Sequence, residues 1–214
     1  MTPAVELAIV LVAAGASTRM GFDKLWTDAG GQPLVAHALT AARQVDPDEL
    51  VFVVAPERLA EASELAPQAQ VVAGGARRRD SVANGLAACR AEWVAVHDAA
   101  RALAPPDLFS RGVQAASATG AAVPILPIVD TIKHVVDGRV QGTLNRAEYA
   151  LVQTPQVFRR DLLTQALASS DRDVTDEATL VEQLGVAVAT FPGDERAFKV
   201  TRPLDLLLVR TLLR

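Results

Sequence analysis

Cysteine is almost missing from this chain: Cys89 is the only one in 214 residues, which excludes an internal disulfide and any cysteine-based zinc cluster. Aromatic residues are also scarce at 4%, so the core must be built from aliphatic side chains, as in α/β folds. No apolar run approaches the roughly 18 residues needed to span a bilayer. There is no excess of positive charge. A formal net charge of −4 argues against a protein that coats nucleic acid. After the first apolar run only Gly15 and Gly21 occur, so the Gly-x-Gly-x-x-Gly dinucleotide fingerprint is absent, and no Gly-Lys-Ser/Thr phosphate loop follows. The segment Met1–Glu6 has no cationic flank and contains an acid, which makes a poor secretory signal and predicts a cytoplasmic protein.

What is present is a rhythm of strands and helices. Val5 to Val12, 50–55, Val71–Val72, 92–97 and 121–126 are dominated by apolar residues, the pattern of strands buried on both faces. Between them, 32–44, 57–65, 80–90 and 105–119 have helical spacing. This predicts an α/β fold, a Rossmann-like three-layer α/β/α arrangement around a mostly parallel sheet. One domain is expected over 1–214. The rhythm breaks at 127–140, where period-2 alternation surrounds Asp137-Gly138, a strong two-residue hairpin signal. A hairpin alone in water is marginal, so this arm, an insertion at about 128–154, needs a packing partner, with a second subunit the natural one. Beyond it, helices are expected from Arg159 and from Thr175, the latter as N-cap. A last strand falls at 186–190, and a C-terminal helix packs Leu204, Leu207, Leu208 and Leu212 inward.

The chemistry-bearing residues cluster at strand ends, where open α/β sheets bind ligands. Ala13, Ala14 and Gly15 let the backbone approach a ligand closely, and Arg19 and Lys24 add cations suited to crowded phosphate oxygens. A second loop, Gly74-Gly75, precedes Arg77-Arg78-Arg79 and Ser81; Asp80 or Ser81 is either a plain helix cap or a ligand contact as well. The fourth strand delivers His97-Asp98-Ala99-Ala100-Arg101. There Asp98 could hold Mg²⁺, directly or through water, or simply pair with Arg101, which could otherwise clamp a phosphate. Asp176 and Glu177 are paired acids of the kind that ligate metals, yet helix first-turn placement explains them without chemistry. Cys89 and His37 read as packing residues. Local cations on a mildly acidic chain indicate a small phosphorylated substrate rather than a polymer.

The ordered motifs Ala-Ala-Gly-x-x-x-Arg-Met (13–20), Gly-Gly-x-x-Arg-x-x-Ser-Val (74–82), His-Asp-Ala-Ala-Arg (97–101), Asp-Thr-Ile-Lys (130–133), Gln-Thr-Pro-Gln (153–156), Thr-Asp-Glu-Ala (175–178) and Lys-Val-Thr-Arg-Pro (199–203) cover the whole chain. Together they resemble the nucleotidyltransferase branch of the glycosyltransferase-A type fold, and within it the methylerythritol-phosphate cytidylyltransferases of the non-mevalonate isoprenoid pathway. The resemblance implies transfer of a cytidylyl group from CTP to a polyol phosphate with Mg²⁺ and release of pyrophosphate. It places Arg19 and Lys24 on the triphosphate, and Arg160 and Lys199 on the incoming phosphate. Asp98, Arg101 and Thr143 fall on the polyol side. Gly75, Ser81 and the backbone at Ala13 and Ala14 read cytosine, and Ala99 lines the ribose. It also implies a homodimer clasped by the arm, with Thr143 and Arg160 serving composite sites. A ribitol-phosphate cytidylyltransferase and a non-catalytic nucleotide-binding regulator are the alternatives. The chain departs from the family pattern at Val12, Ala102, Ala168 and Ala197, and its Met20–Lys24 span is short.

Overall fold

The structure, a computed structural model, describes residues 6–15 and 22–214. Its first strand, β1 (Leu7–Ala13), is buried along its whole length. Alternate residues serve two cores. Ala8, Val10 and Val12 pack on one face, whereas Leu7, Ile9, Leu11 and Ala13 pack on the other, as the period-2 geometry of a strand requires. Three more strands extend this plan in parallel: β2 (Glu49–Val54), β3 (Gln70–Ala73) and β4 (Trp93–Asp98). The sheet continues through β5 (Ala121–Pro127), β8 (Ala150–Val152), β9 (Gln156–Arg159) and β10 (Ala189–Pro192). Its order is β10-β5-β9-β4-β1-β2-β3, with β8 beside β5. Among the described strands of this sheet, only β8 and β9 run antiparallel to their neighbours.

Helices cover both faces. On one side, α3 (Arg78–Ala87), α5 (Arg160–Ser169) and α6 (Ala178–Gln183) contribute Val82, Leu86, Leu163, Leu167, Leu180 and Val181. On the other lie α1 (Leu34–Gln44), α2 (Leu59–Leu65), α4 (Asp107–Ala116) and α7 (Pro203–Leu212). The expected three-layer α/β/α architecture is therefore present.

The contact between α3 and the sheet is unusually close. A Cβ on Gly85 would stand 2.5 Å from Val10 Cγ1 and 2.8 Å from Val53 Cγ2, and both valines are fully buried. Gly85→Ala gains about 1 kcal/mol of helix propensity. Overpacking of about 1–3 kcal/mol opposes it, and two packed strands cannot retreat. A net loss of stability is expected, read as a lower midpoint in thermal unfolding; an unchanged or higher midpoint would show that α3 can shift freely.

Between β5 and β8 the chain leaves the sheet as a hairpin, β6 (Lys133–Val136) and β7 (Arg139–Thr143). Asp137 and Gly138 both have positive φ, 50° and 72°, the two-residue turn read from the Asp-Gly pair. The excursion closes earlier than residue 154, because Ala150–Val152 already pairs with β5. Three further expectations are corrected. The last strand begins at Ala189 rather than 186. Helix α6 starts at Ala178, and Asp176, not Thr175, binds the free Thr179 N–H. On α7 the inward side chains are Leu206 and Val209, while Leu204, Leu207, Leu208 and Leu212 face outward.

Candidate active site

The sheet order itself creates the site. Strands β2 and β3 lie to one side of β1 and β4 to the other, so the chain changes direction between β1 and β4, with Val12 opposite Asp98 at their carboxyl ends. A crevice opens at such a switch point. Here it is a cavity of about 290 Å³ lined by Val12, Ala14, Gly15, Lys24, Leu25, Gly75, Ala76, Arg77, Arg78, Ser81, Asp98, Ala100 and Lys199. A larger depression of about 370 Å³ beside Thr119, Arg159 and Asp161 is open and holds none of the motif residues predicted to bind ligand. Most of the motif residues predicted to bind ligand gather instead at the switch-point cavity.

Its floor is made by two loops in contact. Gly74 is pressed so closely that a Cβ would meet Ala14 Cβ at 2.2 Å, and Gly75 would meet Asp80 Cβ at 2.4 Å. The Ser81 hydroxyl accepts from Gly75 N–H (3.1 Å) and donates to the Arg77 carbonyl (3.1 Å), pinning the glycine loop to α3. Asp80 caps the helix by accepting from Arg77 N–H. Of the two residues that could cap α3, Asp80 is thus the cap, and Ser81 is left as a cavity-lining hydroxyl.

At the centre stands Asp98. Oδ1 accepts from Arg78 Nε (3.2 Å) and Nη2 (3.1 Å), and Oδ2 accepts from Lys199 Nζ (2.7 Å). Burial alone would raise this carboxyl, but the charges of Arg78 and then Lys199 outweigh it and hold Asp98 well below the usual carboxylate range. The ion pair with Arg101 does not form. Arg101 instead donates to the carbonyls of Ala197 (2.7 Å) and Val152 (3.4 Å) and does not line the cavity.

Arg78 also reaches Glu177 Oε1 at 2.5 Å through Nη1. Burial resists its charge, yet the neighbouring Asp98 and Glu177 carboxylates keep Arg78 above the ordinary arginine value. The other two arginines of the run are largely committed to structure. Arg79 is buried and donates to the carbonyls of Leu167, Ser170 and Arg172, and Arg77 bonds Asp80 and Asp171. Lys24 Nζ donates to Val200 O (2.7 Å), and Val200 N–H donates to Ala100 O (2.9 Å), so the Lys199–Val200 segment closes one wall.

Behind Asp98 lies a buried support. Thr154 Oγ1 accepts from Asp98 N–H (3.0 Å) and bonds His97 Nδ1 (3.0 Å), while the His97 ring rests against Phe109. Burial pushes His97 down to about 4 from an ordinary 6.5. The folded protein therefore refuses a proton that the unfolded chain accepts, and stability falls as pH drops from about 6.5 to about 4. The shift corresponds to about 3 kcal/mol. His97→Gln is expected to flatten that part of the stability–pH curve in urea unfolding; an unaltered slope would assign the acid sensitivity elsewhere.

With this geometry in place, comparison with known proteins is decisive. The sequence model of the 2-C-methyl-D-erythritol 4-phosphate cytidylyltransferase family matches residues 7–214. The chain belongs to this family. A cytidylyltransferase of that name from Rhodococcus jostii is 45% identical over 207 residues, covering 94% of this chain and 92% of its own. One from Nocardia farcinica is 47% identical over 219 residues, covering 97% and 94%. The crystal structure of the Thermus thermophilus enzyme superposes with a TM-score of 0.85 at 35% identity, covering 97% of this chain and 98% of that one.

Set against the roles that cytidylyltransferase resemblance implies, the structure gathers Ala14, Gly15, Lys24, Gly75, Ser81, Asp98 and Lys199 around one cavity. Of the small residues, Ala99 does not line the cavity. Ala99 is fully buried, with its N–H donating to Val12 O, so Ala100 rather than Ala99 faces the cavity. Ala13 is buried within β1 and its side chain joins the apolar core.

Thr143 and Arg160 do not reach the cavity of their own chain. Thr143 sits on the exposed hairpin, accepting from Lys133 Nζ (2.6 Å). Arg160 N–H pairs with Glu92 O just before β4, the end opposite Asp98, so six strand residues or about 20 Å separate them. Arg19 lies outside the described residues. Arg78 and Glu177 are the residues whose part in the Asp98 network sequence reasoning missed. Arg78 carried a signal as the fixed arginine of the Gly-Gly motif, and Glu177 as the fixed glutamate of the Thr-Asp-Glu-Ala motif, but helix first-turn chemistry accounted for Glu177 without a partner.

Proposed function

We propose that this protein transfers the cytidylyl group of CTP to 2-C-methyl-D-erythritol 4-phosphate, giving the CDP-linked alcohol and pyrophosphate. The observation that carries the reading is the switch-point cavity of a member of this family, faced by Lys24, Arg77, Arg78 and Lys199 against the single carboxylate of Asp98 among the described residues. Such a wall suits a polyanion, because guanidinium forks and ammonium groups complement crowded phosphate oxygens.

The acceptor phosphate is already anionic near neutral pH, so no side chain need act as nucleophile or base. Its oxygen attacks the α-phosphorus in line as the bond to the β-phosphate oxygen breaks and pyrophosphate leaves. Catalysis is then positioning and charge stabilisation. Lys24 and Arg19 serve the triphosphate. Lys199 holds the incoming phosphate, and Gly75 and Ser81 border the base. Leu25 and Ala100 provide the apolar surface.

The donor set suits Mg²⁺ carried mainly by the nucleotide. Asp98 is one carboxylate already engaged by two cations, and no cluster of three acidic, histidine or cysteine ligands exists among the described residues. Mg²⁺ commonly takes one or two carboxylates with phosphates and water. When bound it would neutralise triphosphate charge, with Asp98 as its protein ligand, direct or through water.

Large apolar side chains stand exposed on and around the arm: Val129, Val135, Val136, Val140, Tyr149 and Leu151. A homodimer clasped there would cover them and could bring Thr143 and Arg160 of one chain to the cavity of the other. Incubation with CTP, Mg²⁺ and a panel including methylerythritol phosphate and ribitol 5-phosphate tests the reaction. Pyrophosphate release with methylerythritol phosphate is expected; preference for ribitol phosphate, or no release, would overturn the acceptor or the activity.

A further inference from the structure

Glu177 is a carboxylate that the reaction as described does not use, and its surroundings are unusual. It has no solvent exposure, and burial raises its carboxyl above the ordinary value in spite of Arg78. It does not cap its helix, since Asp176 takes that part. Oε1 accepts from Arg78 Nη1, and Oε2 is buried without a hydrogen-bond partner. The turn that carries it is hung from the sheet: Gln156 Nε2 donates to Asp176 Oδ2 (3.0 Å) and Gln156 Oε1 accepts from Ala178 N–H (3.3 Å). Gln156 in turn sits on β9 directly opposite Val96 of β4, two residues before Asp98. Glu177 and Asp98 are thus fixed to one frame with the Arg78 guanidinium between them.

A guanidinium is a rigid fork. With Nη1 held by Glu177, Nε and Nη2 are turned together onto Asp98 Oδ1, which leaves Oδ2 for Lys199. A buried ion pair is poor evidence of added stability, because desolvation offsets the attraction, and fixing a unique geometry is its better-attested use. We propose that Glu177 is a positioning residue for cytidylyl transfer: by clamping Arg78 from beneath, it sets the place of Asp98 and, through Asp98, that of Lys199. The inference rests on the cytidylyl-transfer reading.

The test uses full-length enzyme carrying Glu177→Gln, which keeps an acceptor oxygen but removes the charge, and Glu177→Asp, which keeps the charge and shortens the reach. Since a misplacement near 1 Å costs about 100-fold, kcat/KM is expected to fall by about 10–100-fold, chiefly in kcat, with the thermal transition still cooperative. In an Arg78→Lys background, where no fork remains to be oriented, Glu177→Gln should cost less than about twofold more, because residues acting through one another are not additive. Wild-type kinetics in the Gln variant, or equal losses in both backgrounds, would overturn the proposal. Should the Gln variant fail to fold, wild-type kcat/KM in the Asp variant would overturn it alone. Wild-type enzyme assayed alongside separates the two ideas: no pyrophosphate from wild type removes the functional reading itself, whereas an active wild type with unaffected variants removes only the role of Glu177.

Discussion

Lys199→Ala is expected to lower kcat/KM on the order of 10²–10³-fold while leaving the fold in place, the loss typical of removing one preorganised charge donor from a transition state. The fold should survive for reasons visible in the structure. The Lys199 side chain is 38% exposed, so its ion pair with Asp98 is partly screened by solvent. Asp98 retains Arg78, and the wall segment keeps its backbone ties through Val200 to Ala100 and Lys24. What disappears is the ammonium at the cavity surface. Steady-state kinetics with both substrates, together with a calorimetric CTP titration, reads the effect. Unchanged turnover in a variant that still binds CTP would show that Lys199 does not serve the reacting phosphate.

The parts of the fold legible in the sequence are those dictated by short-range pattern. Short continuous apolar runs rich in β-branched residues, such as Leu7–Ala13 and Val51–Val54, fit strands covered on both faces, and Asp137-Gly138 can adopt paired positive φ at little cost. The Asp98-bearing strand end was legible for the same reason. The outward face of α7 was not. In Pro-Leu-Asp-Leu-Leu-Leu-Val-Arg-Thr-Leu-Leu, leucines at 204, 207, 208 and 212 have helical spacing, but so do Leu206, Val209 and Leu213, and only docking against the α1 side of the sheet decides between them. Strands β8 and β9 were obscured because both are short and antiparallel within a parallel rhythm.

The site divides along the same line. Glycines and loop cations announce themselves locally. Pairing does not, since the partner of Arg78 is Glu177, 99 residues away. A Thr-Asp-Glu-Ala segment satisfies helix-start chemistry without any distant partner, and that sufficiency concealed Glu177. The three consecutive arginines divide, for Arg77 and Arg78 line the cavity while Arg79 does not. They read as one local cluster of cations, yet Arg79 is consumed by three backbone carbonyls and serves to hold the segment after α5.

Gly74→Ala should be the most damaging substitution of a residue that carries no charge. The added methyl would lie 2.2 Å from Ala14 Cβ and 2.9 Å from Ser81 Oγ. Carbon atoms rest at about 3.5–4.0 Å, so one loop must move by more than about 1 Å. Ala14 Cβ is fixed by the backbone just beyond β1 and has no rotamer by which to yield. Gly74 cannot retreat readily either, because its N–H donates to Val54 O at 2.7 Å. Unlike Gly85, whose collision lies inside the core, Gly74 separates two walls of the cavity, so the damage falls on binding as well as stability. A loss of about 100-fold in kcat/KM is expected, from loop misplacement near 1 Å, along with about 1–3 kcal/mol of overpacking. Ala14→Gly supplies the control by removing the opposing methyl. The Ala14→Gly/Gly74→Ala double variant should recover much of the lost CTP affinity, measured by calorimetric titration. If the double variant is no better than Gly74→Ala, the cavity does not depend on the close approach of these two loops.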